Sequence, residues 1–570
     1  MIKCDSSIVK CAIFDNACFG RAKFDMQHGR KEFQRRRGFF PVPAPTVSPS
    51  SGKKRLAPKG PGRSLSEPLS VTRFCVRLCR AQIDSPSSIC YNAGKSHEIM
   101  YHKEALPMEQ ARDSIKSMAE GSPLRLLIRF ALPLMLGNIL QQLYVVVDTA
   151  IVGQGLGVTA LASVGAADWL NWLVSGIAQG FTQGFGVLVA IHFGARDFGQ
   201  LQKAVSGALL LSIVLAVALS IASQATLLPT LMAMSTPADV LPGAVLYVRT
   251  LYCGIPFTVA FNLCAAILRA LGDSKTPLWA MAIASVVNIV LDSVFVFLFH
   301  WGIAGAAGAT VFAQGLSAAF CLWRMRRIPY LRPVRLHLRK EGPLFARLMR
   351  LGLPVAFQNV IVAVGGLIVQ SAVNGYGMLF IAGFTATNKL YALLEIAAIS
   401  LGYAISTFVG QNIGARQYLR VRHGVHTGLA VALGVSVVIS ALMLTLGRFL
   451  LPMFISGTPQ EVASATQTAL AYLNTMSAFL SVLYVLYVYR SALQGMGNTL
   501  VPMLSGVAEF ILRVAVVWTL PAIFGPNSIF FAEIAAWAGA AIILLCAYYV
   551  CVRALPRVNA PLPKLSDERA

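Results

Sequence analysis

Two carboxylates interrupt apolar stretches long enough to cross a bilayer. Asp148 lies in the run 126–152 and Asp292 in the run 277–300. At that depth a carboxylate costs several kcal/mol unless it is paired, hydrated or protonated. At about 1.5 Å per helical residue, Asp148 stands roughly 28 Å beyond Arg129 and Asp292 roughly 22 Å beyond Pro277, so their depths overlap past the midplane. Asn288 precedes Asp292 by one helical turn and shares its face, while Thr310 enters the next span from the corner near Gly302. Such a set suits two tasks. Its oxygens replace the hydration shell of Na⁺, and adjacent carboxylates hold one shared proton in place of two charges. Either makes Asp148, Asn288, Asp292 and Thr310 a coupling-ion site, with Na⁺ or H⁺ as the ion. The structural alternative has Asp148 capping its helix near the headgroups and Asp292 pairing within the bundle.

The second half carries other charges: Glu395, Glu509 with Arg513, and Glu533. The one-turn spacing of Glu509 and Arg513 predicts a pair on one helix face that neutralises buried charge. Glu395 has no such neighbour; it either faces a water-filled cavity and attracts a cation or pairs with a distant Arg. Gln141, Gln142, Tyr144, Trp169, Asn171, Trp172, Gln179, Gln183, Tyr391 and Tyr403 also enter apolar runs. Together they are candidates to line a cavity, although for any one Trp or Tyr the default is interface anchoring or core packing. Gln142, Gln183, Tyr391, Glu395, Glu509 and Glu533 form the candidate substrate cavity. Gly153, Gly155, Gly157, Gly365 and Gly366 read as close-packing or flexible positions, and no phosphate-binding or dinucleotide fingerprint occurs, so ATP does not drive the protein directly.

These side chains need a membrane scaffold to hold them. Of 570 residues 56% are hydrophobic and 13% charged, too apolar for one soluble domain. Twelve spans are read near 126–152, 163–193, 203–229, 240–268, 277–300, 303–325, 348–374, 379–411, 423–451, 463–494, 500–523 and 528–553. The expected fold is all-α and integral to the membrane. Arg196, Lys203, Arg269, Lys275, Arg416, Arg420, Arg422 and Arg490 mark one side, whereas the loops near Gly155, Pro237, Trp301, Tyr376 and Pro526 lack Lys and Arg. That asymmetry predicts both termini in the cytosol and a multi-pass location in the cell membrane. The linker 327–346 continues the same basic side, consistent with contact to anionic lipid headgroups.

Residues 1–107 differ from the rest, with Arg35-Arg36-Arg37 and Lys53-Lys54-Arg55 among Pro, Ser and Gly. They are expected to form a disordered cytoplasmic extension, with a genuine extension and a mistaken upstream start both open. Residues 554–570 are expected to form a cytoplasmic tail. Much of the net charge of +24 falls in the N-terminal stretch and the loops, so it reads as orientation and surface charge; nucleic acid is not an expected partner. Six of the eleven cysteines lie in the extension with no C-x-x-C pair and read as free thiols, and those in apolar runs as small hydrophobes.

The chain also repeats itself. Phe193-Gly194-Ala195-Arg196 returns as Ile413-Gly414-Ala415-Arg416, Leu132-Pro133 with Asn138 as Leu353-Pro354 with Asn359, and Gly272-Asp273 with Pro277 as Gly497-Asn498 with Pro502. These offsets of about 220 to 225 residues imply two pseudo-symmetric six-helix lobes, 118–326 and 347–553. Symmetry fails where charge is concentrated: Asp148 falls opposite Val369, Asp292 opposite Val517 and Asn288 opposite Arg513. The predicted coupling site therefore belongs to the first half alone.

The ordered set Leu132-Pro133-Leu134-Met135-Leu136-Gly137-Asn138, Gln141-Gln142-Leu143-Tyr144, Val147-Asp148-Thr149, Gly194-Ala195-Arg196, Arg269-Ala270-Leu271-Gly272-Asp273, Asn288 to Asp292, Gly305-Ala306-Ala307, Ser406 to Asn412 and Gln494 to Asn498 resembles the multidrug and toxic compound extrusion family of secondary transporters. The resemblance covers roughly residues 118 to 553 and implies two lobes about a central cavity. It further implies alternating access, with export of drugs or organic cations against entry of H⁺ or Na⁺. Asp148, Asn288, Asp292 and Thr310 match positions that form the family's cation or proton site; Glu395, Glu509 and Glu533 match less firmly. Ser293 departs from the family, which often has Pro there, and this bears on the bend of that helix. The resemblance implies no cofactor, and a monomer is expected.

Three rivals remain. A flippase for a lipid-linked precursor needs a basic cavity, and intramembrane Arg is nearly absent apart from Arg513. An enzyme lacks its motifs, since neither H-E-x-x-H nor G-x-S-x-G occurs. A channel or receptor of the same topology is separated by testing for concentrative transport.

Overall fold

In the computed structural model, residues 117–556 are described, apart from 235, 338–339 and 456–457. The expected extension 1–107, its cysteines and residues 557–570 of the expected tail lie outside the described residues. Among the described residues all regular structure is helical. The first half comprises α1 (Pro123–Leu156), α2 (Val158–Gly194), α3 (Phe198–Ala233), α4 (Leu241–Cys253), α5 (Ile255–Ala270), α6 (Lys275–Ser293) and α7 (Gly302–Arg326). The second repeats it as α8 (Gly342–Asn374), α9 (Met378–Gly414), α10 (Tyr418–Leu450), α11 (Pro459–Ala478), α12 (Leu480–Gly495), α13 (Leu500–Phe524) and α14 (Phe531–Ala554).

Among the described residues ten helices are long and apolar enough to span a bilayer unbroken, and two bent pairs would each make one further span. Segments 240–268 and 463–494, read as single spans, are these pairs: α4 and α5 meet at 46°, α11 and α12 at 48°. The first break has a cause in sequence. Gly254 is followed by Pro256, which lacks an N–H and sits in the first turn of α5. The second, at Phe479, has neither Pro nor Gly beside it; there Ser440 Oγ of α10 donates to the Ser477 carbonyl at 2.7 Å, satisfying a group at the helix end.

The repeated Gly-Ala-Arg motif is a helix terminator. Arg196 and Arg416 adopt left-handed backbone, φ 56° and 57°, at matching positions. Asp197 N–H then closes on His192 O and Gln417 N–H on Asn412 O, satisfying the last carbonyls of α2 and α9. The preceding glycines pack the helices together: a Cβ on Gly194 would collide with the Gln411 carbonyl, and one on Gly414 with that of Ile191. The two lobes therefore touch backbone to backbone at this end.

Candidate functional site

Parallel packing of α1 on α6 brings the first-half acids together. Gly137 approaches Leu278 and Met281, and Gly155 approaches Val296 and Phe297 in the stretch that continues α6, so contact runs in one direction along both chains. A Cβ on Gly155 would stand 2.9 Å from the Phe297 ring, so glycine there permits the close approach. Asp148, between those contacts on α1, is thereby set beside Asn288 and Asp292 on α6. Asp148 and Asp292 stand close enough to act on each other's charge. Asp292 is 0% exposed and Asp148 8%. Thr310 of α7 completes the group, its Oγ1 accepting from Asn288 Nδ2 at 3.4 Å.

This group holds four buried oxygens with no hydrogen-bond partner: Asp148 Oδ1, Asn288 Oδ1 and both carboxylate oxygens of Asp292. Unsatisfied buried acceptors are rare, and four at one place have the chemistry to receive a proton or a small hard cation. No cluster of three or more His, Cys, Asp or Glu that could hold a metal ion occurs among the described residues. Immediately beyond Ser293 the helix widens into a π-helical stretch, Val294–Leu298, and Ser293 Oγ back-bonds to Ile289 O at 2.9 Å. Such turns mark functional places in helices, and this one lies within two residues of Asp292.

A cavity of about 820 Å³ lies between the lobes. Gln142, Tyr391, Glu395 and Glu533 line it, as do Asn288 and Thr310, whereas Asp148 and Asp292 do not reach its surface. Gln141, Tyr144, Trp169, Asn171, Trp172, Gln179 and Tyr403 also line it, so the default reading of the Trp and Tyr residues as anchors or core gives way to a cavity wall. Two expected cavity residues sit elsewhere. Gln183 lies in the seam between lobes, donating to Gln494 Oε1 at 3.2 Å, and Glu509 is buried in an ion pair.

Below the cavity the lobes seal at the Arg196/Arg416 end. Gly184 meets Gly352, Gly180 meets Ala356, and Asn359 Nδ2 donates to Gly176 O at 2.8 Å. Gln411 fastens the seal from both sides, accepting from Met118 N–H at 2.7 Å and donating to Ala270 O at 2.8 Å.

The second-half charges pair differently from the sequence expectation. Glu509 pairs with Arg490 and not with Arg513, which pairs with Glu533 at 2.6 Å. Arg490, read from sequence as a loop residue, lies inside α12 with its side chain 12% exposed. One-turn spacing is only one way to meet a partner; here Arg490 reaches Glu509 from α12, and α14, packed along α13, supplies Glu533 to Arg513. Glu395 accepts from the Tyr487 hydroxyl, so it is both cavity-lining and engaged. Intramembrane Arg, expected to be nearly absent apart from Arg513, is more frequent: the Arg490 side chain is 12% exposed within α12, and Arg269 lines the cavity with its guanidinium 4.5 Å from the Tyr403 ring centroid. Sequence reading missed two further lining residues, Asp168 and Lys389. Both are charges within apolar runs, the same signal that singled out Asp148.

Sequence and fold comparisons agree with this architecture. A Bacillus subtilis protein described as a probable multidrug resistance protein, YpnP, is 28% identical across 69% of this chain and 87% of its own length. The FAD transporter of Shewanella oneidensis is 25% identical across 52% of this chain and 67% of its own. A transporter of the MOP superfamily from Pyrococcus furiosus, described by a binding pocket of reversed polarity, superposes with a TM-score of 0.72 at 21% identity, covering 78% of this chain and 98% of that one. The sequence model of the MatE family matches residues 133–294 and 354–519, most of both repeats. The chain belongs to the MatE family of multidrug efflux transporters.

Proposed function

We propose that the protein is a secondary antiporter that exports organic compounds, many of them cationic, in exchange for H⁺ or Na⁺ by alternating access. One observation carries this reading: three carboxylate oxygens of Asp148 and Asp292 are buried without a hydrogen-bond partner behind the cavity wall, beside Asn288 and Thr310, which line it. A cation or proton arriving at Asp148 and Asp292 changes the charge between α1 and α6, and these helices line the cavity. Loading the ion thus favours a different packing of the first lobe from the one that holds substrate. The lobes then rock about the seam of α2, α8 and α9 and reload. In this reading the protein works as a monomer in the cell membrane with both termini in the cytosol, and the sealed Arg196/Arg416 end faces the cytosol.

The test is efflux of ethidium from proteoliposomes, with Na⁺ and pH gradients imposed separately. Wild-type protein concentrates dye under one of them, and Asp148→Asn, folded and monodisperse, does not. Full gradient-driven efflux by that variant sinks the proposal, and equilibration of dye without concentration makes the protein a channel. The flippase reading gains Arg269 and Lys389 as basic lining residues, but Asp168, Glu395 and Glu533 offset them and leave no net positive surface for a diphosphate.

A further inference from the structure

Six charged side chains line the cavity: Asp168, Arg269, Lys389, Glu395, Arg513 and Glu533. The protein itself engages four of them. Arg513 pairs with Glu533, Glu395 accepts from Tyr487, and Arg269 stacks over Tyr403. Asp168 and Lys389 have no hydrogen bond or ion pair among the described residues, and both are exposed to the cavity. They have opposite sign and come from opposite lobes. Asp168 lies in the first third of α2 and Lys389 in the first third of its repeat, α9, two helices of 37 residues each. They stand near enough to feel each other's charge and yet form no ion pair.

We propose that Asp168 and Lys389 are the specificity-determining ends of the substrate site, selecting aromatic zwitterions that carry a cation at one end and an acid at the other. This rests on the reading of the cavity as the transport site. At the Asp168 end Trp169 and Trp172 meet edge to face, 5.9 Å between ring centroids. A carboxylate beside aromatic faces suits an organic cation, where ionic and cation–π attraction act together. The Lys389 ammonium is a compact donor with a flexible stem, suited to an acid whose position varies among substrates. A ligand bridging the two charges satisfies both and spans the lobes, so its binding depends on their separation. A purely cationic ligand leaves Lys389 unmatched and repelled.

The test uses rhodamine B, whose cationic xanthene carries a free benzoate, and rhodamine B ethyl ester, which lacks the acid. Binding is read by fluorescence anisotropy on purified full-length protein. Lys389→Ala and Lys389→Gln each shift the affinity ratio of acid to ester by about tenfold or more toward the ester. Asp168→Asn weakens both dyes, and Lys389→Glu makes the ester the tighter ligand. An unchanged ratio in both Lys389 variants overturns the proposal. The same dyes in gradient-driven proteoliposomes separate the two readings. Selective binding without coupled transport removes the antiport function and leaves this site standing, whereas coupled transport with no acid-to-ester shift does the reverse.

Discussion

The two lobes share a backbone and treat buried acid in opposite ways. In the first, Asp148 and Asp292 keep carboxylate oxygens with no partner. In the second, Glu395, Glu509 and Glu533 are held by Tyr487, Arg490 and Arg513 respectively. Where the first lobe has Asp148, Asp292 and Asn288, the repeat has Val369, Val517 and Arg513. A paired buried charge resists titration and ion exchange, because removing its partner leaves an uncompensated charge. An unpaired one invites both. Under the proposed antiport mechanism, ion exchange falls to the first lobe and rigidity to the second, although one duplicated scaffold carries both.

The largest expected effects put that contrast to a direct test. Asp292→Asn is expected to lower gradient-driven efflux by about a hundredfold or more. It leaves thermal stability equal or higher, because the removed charge had no partner. Glu509→Gln is expected to behave the other way: it leaves Arg490 unpaired at low exposure and costs about 3–5 kcal/mol of stability, read as a fall in melting temperature in detergent. The double variant Arg490→Met/Glu509→Met recovers most of that stability. A stable, fully folded Glu509→Gln without coupled transport would move ion exchange into the second lobe and break the comparison.

The repeated scaffold was readable because its marks are backbone marks. Gly194 and Gly414 permit helix contact, and Arg196 and Arg416 end helices in left-handed backbone, so matching sequence reflects matching geometry. The convergence of the first-lobe residues was readable for a related reason. A charge in an apolar run is conspicuous, and α1 and α6 run parallel, so depth computed along each helix carries over to space. The second-lobe pairs were not readable, since they join α12 to α13 and α13 to α14, and local spacing favoured the wrong partner for both Glu509 and Arg513. Lys389 was missed because a long flexible cation in an apolar run gives no hint of which wall it faces until the neighbouring lobe is in place.

The seal offers a second asymmetry. Gln411 and Asn412 of α9 both bind Met118, while their counterparts in α2 are Ile191 and His192. At this terminus the second lobe therefore supplies the side-chain hydrogen bonds, and the first supplies the Met118 and Ala270 backbone groups that meet them. Gln411→Leu leaves the Met118 N–H and the Ala270 carbonyl without their partner and is expected to cost about 1–3 kcal/mol of closure. Hydrogen exchange should then quicken at residues 117–120 while the amides around Gly254 keep their protection. Unchanged exchange at Met118 would mean that packing of the glycines alone closes this end.

The two bent spans give the smallest and most local contrast. They break at matching places, by 46° and 48°, through different chemistry: Gly254 with Pro256 in the first lobe, and a side-chain hydrogen bond from Ser440 to the Ser477 carbonyl in the second. Ser440→Ala is expected to cost about 0.5–1.5 kcal/mol, since one buried carbonyl loses its donor. Pro256→Ala restores an N–H to the first turn of α5 without a new acceptor at the bend, and is expected to change stability by less than about 1 kcal/mol. Melting temperatures in detergent rank the two. If Ser440→Ala is neutral while Pro256→Ala is costly, the second break is set by packing of the repeat, and the hydrogen bond merely follows it.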